Sequence, residues 1–267
     1  MSDLSGLHAQ EPVSGAGSST AAADRTDTAA AAPVRPISPD AATGWATLVF
    51  VIAQAFCATF VWIWFSGNVP VSTEHYDGTF VALVVLTTDL PLVGLFWAIV
   101  RRRGLDAREY LGLTRFSLRH FLTGILALAL LAAALYAIAH FAKLDTVPRF
   151  QTDTYISARR AGWLGPLLLA VVVVGPVSEE IMFRGFLYRG WVRPGFVVTP
   201  VILLTLMWSA MHLQYDLFAI SQVFLTGLLL GWLRWLSGST SLTIVLHMLV
   251  NLVATIETFV RVGWTAS

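Results

Sequence analysis

The sequence predicts an all-α fold, a polytopic transmembrane helix bundle of about seven spans. Three observations point to it. Of 267 residues, 56% are hydrophobic and 12% charged, about half the roughly 25% charge usual in soluble domains. Mean hydropathy is +0.71, more apolar surface than a soluble core can hide. The apolar residues also form continuous runs near the length of about 20 that a helix needs to cross a bilayer core of about 30 Å. Barrel strands would instead be about ten residues long and alternating.

Residues 1–44 come first, with stretches such as "GAGSSTAAADRTDTAAAAPVRPISPD" and no apolar face at either helical or strand period. They read as a disordered cytoplasmic tail. They do not read as a signal peptide, because no basic start leads into an apolar core. Residues 45–267 form the helical domain. Its seven apolar segments are 45–66, 79–100, 120–142, 161–187, 196–213, 217–236 and 240–262. The connector 101–120 holds Arg101, Arg102, Arg103, Arg108, Arg115 and Arg119, whereas 66–79 holds no Lys or Arg. By the positive-inside rule the first is cytoplasmic and the second external. The N-terminus is then cytoplasmic, in a multi-pass protein of the plasma membrane whose first partner is the lipid bilayer. The connector 143–160 falls outside despite Lys143, Arg149, Arg159 and Arg160. The net charge of +1 and the lack of a long basic stripe give no sign of nucleic acid as a partner. A single cysteine, Cys57, excludes an intrachain disulfide.

Against this apolar background a few polar residues stand out. An ionised side chain at the bilayer centre costs about 2.5–3.5 kcal/mol on insertion scales, yet "GPVSEEIMFRGFLY" (175–188) carries two glutamates and an arginine. Glu180 and Arg184 are four apart, share a helix face and can pair. Glu179 lies about 100° further round and needs a partner from elsewhere, or a proton. Two further pairs have the same spacing, Trp208 with His212 in "WSAMH" and His247 with Asn251 in "HMLVN". Polar residues in lipid face the bundle interior, so the three stripes should converge on one cavity. A carboxylate there can take a proton from water and deliver it to a leaving amine. Imidazole and amide N–H groups can stabilise an oxyanion. Alternatively, two carboxylates and two imidazoles can hold a divalent metal such as zinc. Both routes lead to amide hydrolysis. Asp89, beside Pro91, caps a broken helix or lines the cavity and stays outside the candidate set. Gly227 and Gly231 form a GxxxG pattern for close helix packing.

These motifs resemble those of the type II CAAX prenyl endopeptidases, the family of CAAX proteases and bacteriocin-processing proteins also called Abi. "EEIMFR" (179–184) fits the family's EExxxR, "WSAMH" is similar to its FxxxH and "HMLVN" fits its HxxxN. The resemblance covers residues 160–255 well and 100–160 loosely. Trp208 is a departure, since the family usually has phenylalanine there; an aromatic wall survives the change. The resemblance implies an intramembrane endopeptidase whose site opens towards the cytoplasm. It makes Glu179 the water-activating residue, with Glu180 and Arg184 as support. His212 assists the water or the oxyanion, and His247 and Asn251 form the oxyanion hole. It also implies a peptide or protein substrate at the membrane, and no certain cofactor. Two other classes fit the same chain. One is a non-catalytic bacteriocin-immunity or scaffold protein of the same fold. The other is a proton-coupled transporter, against which the lack of matched half-repeats counts.

Overall fold

The computed structural model describes residues 37–65 and 77–263. The expected tail as far as residue 36 and the connector from 66 to 76 lie outside the described residues. Every named element is a helix, and one isolated bridge joins Arg193 to Phe196. The protein is an all-α polytopic membrane bundle.

Helix α1 (Pro39–Phe65) starts at Pro39 rather than at residue 45, with proline in a first-turn position that needs no N–H. Helix α2 (Gly78–Arg102) is capped by Asp77, whose carboxylate accepts from the Thr79 N–H at 2.8 Å. Pro91 lies inside α2, and Arg101 and Arg102 lie in its last turn. A short α3 (Ala107–Tyr110) is capped by Asp106. Helix α4 (Leu118–Ala142) runs from a Ser117 cap to Lys143, which takes the left-handed conformation at φ 57°. The expected connector 143–160 contains α5 (Arg149–Arg160), an amphipathic helix. It buries Thr154, Tyr155 and Ala158, and Arg159 reaches from it to the Gly263 carbonyl.

Helix α6 runs from Leu164 to Trp191 without interruption, through π-helical segments at Ala170–Val174 and Ile181–Leu187. Helix α7 (Val198–Ala210) has 13 residues, about 20 Å at 1.5 Å per residue, and is shorter than the apolar run 196–213 suggested. Helices α8 (Leu217–Ser237) and α9 (Thr240–Val262) complete the bundle. Each of the seven apolar segments contains a helix among the described residues. Among the described residues α2, α4, α6, α8 and α9 are long and apolar enough to cross a membrane.

The main core joins α1, α2, α3 and α6, with the rings of Phe96 and Phe186 4.7 Å apart and tilted by 33°. The GxxxG face of α8 packs on α7. A Cβ at Gly227 would lie 2.7 Å from the Trp208 ring, and one at Gly231 would lie 2.6 Å from Val201 Cγ1. That close approach brings α7 onto α8 beside the glutamates of α6.

Candidate active site

Proline sets the shape of α6 just ahead of the glutamates. Pro176 has no N–H, and the Gly175 N–H bonds back to the Ala170 carbonyl in a wide π turn. Neither can serve the Val171 carbonyl, which would otherwise be a buried orphan acceptor. Asn251 of α9 supplies the donor, its Nδ2 lying 2.7 Å from that carbonyl. Asn251 therefore ties α9 to the start of the motif helix through one N–H and keeps a second N–H on the same nitrogen.

One turn further on, Glu180 is fully buried. Its Oε1 accepts from Arg184 Nη1 at 3.0 Å and lies 3.0 Å from His247 Nδ1. The i,i+4 pair read from the sequence is present, and His247 extends it to α9. An ionised Glu180 can only accept, so Nδ1 carries the proton and Nε2 is left as the imidazole's acceptor. That Nε2 lies 4.0 Å from Glu179 Oε2, so one imidazole lies between the two carboxyls. Glu180 Oε2 is buried with no donor among the described residues. Thr243 beside it gives its hydroxyl hydrogen to the Thr240 carbonyl. Arg184 also donates to the Gly227 carbonyl at 3.1 Å, and its guanidinium lies 4.5 Å over the Trp208 ring.

Glu179 is the more accessible carboxyl, its side chain 23% exposed. Trp208 Nε1 donates to Glu179 Oε2 at 2.6 Å. His212 lies in the turn after α7. Its Nδ1 is 3.1 Å from the Trp208 carbonyl and its ring is set edge-on to the Trp208 ring at 5.3 Å. Because α7 is short, its end reaches the depth of Glu179. Tyr215, in the same turn, packs on His212 and on Phe150 of α5. Burial and the nearby Glu179 carboxylate hold its phenol above the ordinary range.

Of the six candidate residues, Glu179, Glu180, Arg184 and His247 meet directly. His212 joins them through Trp208, while Asn251 bonds to backbone one turn away. Sequence reasoning missed several neighbours. Arg234 of α8 is buried, donates through Nε to the Arg184 carbonyl at 2.9 Å and stacks over Tyr188. The Thr240 hydroxyl bonds Leu111 and Arg184 carbonyls. Gly112 passes between these groups at φ 69°, and a Cβ there would lie 2.5 Å from Arg234 Nη2, so only glycine fits. Ser178 donates to Asp89 Oδ2 at 2.7 Å, which places Asp89 against the turn before Glu179. An arginine in the apolar run "LLLGWLRWLSG" was the available signal for Arg234.

A zinc ion needs nitrogen or oxygen donors about 2.0–2.2 Å away, three from protein in a catalytic site. Here Glu180 Oε1 and His247 Nδ1 are bonded to each other, and Arg184 shares that oxygen. Glu179 Oε2 and His247 Nε2 remain, 4.0 Å apart. Among the described residues no three His, Cys, Asp or Glu side chains converge as ligands. The donor set does not fit a zinc centre.

Residues 161–253 match the family model described as type II CAAX prenyl endopeptidase Rce1-like. A protein of Escherichia coli named only as an uncharacterized 24.3 kDa protein is 32% identical over 85 residues, 30% of this chain and 39% of that protein. The match therefore spans well under two thirds of that relative. No solved structure matches the chain.

Proposed function

We propose that this multi-pass membrane protein, whose residues 161–253 match the type II CAAX prenyl endopeptidase Rce1-like family model, is an intramembrane endopeptidase using Glu179 as general base. The observation that carries the reading is the division of labour between adjacent carboxyls. Glu180 is spent on Arg184 and His247, whereas Glu179 is partly exposed and its carboxylate accepts from the neutral Trp208 indole, with no Arg or Lys paired to it among the described residues.

In this reading Glu179 takes a proton from water, and the hydroxide attacks the carbonyl carbon of the scissile amide. The developing oxyanion is met by the second N–H of Asn251, and by His247 once its Nε2 also carries a proton. Glu179 then returns the proton to the amide nitrogen as the C–N bond breaks, releasing an acid and an amine. The Glu180–Arg184 pair holds the imidazole in place and does not exchange protons with substrate. The substrate is a membrane-associated peptide or a protein C-terminus. A cytoplasmic position of the connector 101–120, in a plasma membrane, is supported by its six arginines.

The test uses purified wild type and Glu179→Gln in detergent, with quenched peptides ending in prenylated or plain C-terminal sequences, with and without chelator. Cleavage by wild type should fall at least about a thousandfold in the variant at equal expression. Chelator should leave it unchanged. Full activity in the variant would end the proposal. A folded wild type that cleaves nothing while binding a membrane peptide would favour the scaffold class.

A further inference from the structure

We propose that Trp208 is a positioning residue for Glu179, its indole N–H selecting which carboxylate oxygen receives the water. The inference rests on the reading of Glu179 as the base. A buried indole N–H normally finds a partner. Trp208 is 2% exposed, and its partner is the candidate base itself, at 2.6 Å. The same ring carries Arg184 on its face at 4.5 Å, and the His247 ring stands perpendicular to it at 5.3 Å. One side chain therefore touches both carboxyl systems and both imidazoles of the site.

The ring is accommodated, not forced in. Gly227 lies opposite, and any Cβ there would occupy the space the indole fills. A phenyl ring in this position keeps an aromatic face towards Arg184, but it is smaller than the indole and lacks the donor. The donor matters because the terminal torsion of a glutamate is broad and roughly two-fold. Unheld, the carboxylate presents either oxygen. Here Oε2 is held by the indole N–H, and His247 Nε2 lies 4.0 Å from it, beyond hydrogen-bond distance. Oε1 folds back over Gly175, where a Cβ would lie 3.8 Å from it. Fixing Oε2 assigns proton transfer to Oε1 and holds it in one orientation, the kind of preorganisation that lowers the barrier without changing substrate affinity.

The test is made on the full chain in detergent with tryptophan labelled at the indole nitrogen. Among the ten tryptophans, one indole resonance should lie far downfield in wild type. It should vanish in Trp208→Phe and move upfield in Glu179→Ala. In the peptide assay Trp208→Phe should lower kcat about tenfold, with KM within about twofold and a melting temperature lowered by the smaller ring but still well above the assay temperature. An indole spectrum that does not respond to Glu179→Ala overturns the proposal, as does a folded Trp208→Phe protein with wild-type kcat. If Trp208→Phe does not fold, a single indole signal that moves in Glu179→Ala and not in Glu257→Ala still identifies the contact. If no peptide is cleaved by wild type, the proteolytic reading fails while the indole response still decides whether Trp208 holds Glu179.

Discussion

Helices α4 and α6 are nearly the same length, 25 and 28 residues, and both are apolar enough to cross a membrane. Their surroundings are opposite. In α4 only Gly124, Leu135 and Ala139 are buried, and residues such as Leu126, Leu130 and Phe141 face outward. In α6 every residue from Ile181 to Leu187 is buried. Lipid is as apolar as leucine, so hydrophobicity marks a span without telling whether it faces lipid or protein. The distinction lies in what interrupts the apolar run. Helix α4 has its charges at the ends, whereas α6 carries glutamates, an arginine, glycines and a proline along its middle.

The sharpest way to break this contrast is to remove one partner of the α6 ion pair. Arg184→Leu leaves Glu180 charged, buried and without its cation, which typically costs about 3–5 kcal/mol. Thermal unfolding in detergent should show a large drop in midpoint, or too little folded protein to measure. A near-normal midpoint would mean that the pair does not hold the interior together. A smaller effect is expected next door. Gly227→Ala drives a methyl into the Trp208 ring and should cost about 1–3 kcal/mol by overpacking, with cleavage reduced because the indole moves away from Glu179. Helix α4 should respond least. Leu126→Ala or Leu130→Ala should change stability by no more than about 0.5 kcal/mol. A loss as large as that of Gly227→Ala would show that protein, not lipid, covers this face.

Local spacing made part of this interior legible. Glu180 and Arg184 meet as their i,i+4 separation required, and Glu179 found its partner on another helix, as a lone carboxyl must. The identity of that partner was hidden. Trp208 lies 29 residues away, and its ring looked like packing because an indole donor has no signature in a pattern of apolar residues. The same limit concealed Arg234 and Thr240, whose bonds run to backbone carbonyls at sequence separations of 50 and 56, and a carbonyl belongs to every residue alike. Asp89 was visible as an intramembrane acid beside Pro91, but its Ser178 partner is a helix away. Helix α5 was read as a connector because its apolar positions, Tyr155 and Ala158, are few among polar ones. Helix α7 was read too long because composition stays apolar on both sides of where the helix ends.

The widened turns of α6 also act as a phase adjustment. A π turn takes up one residue more than an α turn, so everything beyond Ala170–Val174 is rotated about 100° from where uniform winding would put it. The first widened turn therefore aims Glu179 at α7 and Glu180 at α9, while leaving the Leu164–Leu169 end of the helix free to pack against α2 and α5 on its own terms. Orientation of the acids and anchoring of the helix become independent settings. The run of four valines before Gly175 can vary in apolar side chain without disturbing the aim, but it cannot vary in length.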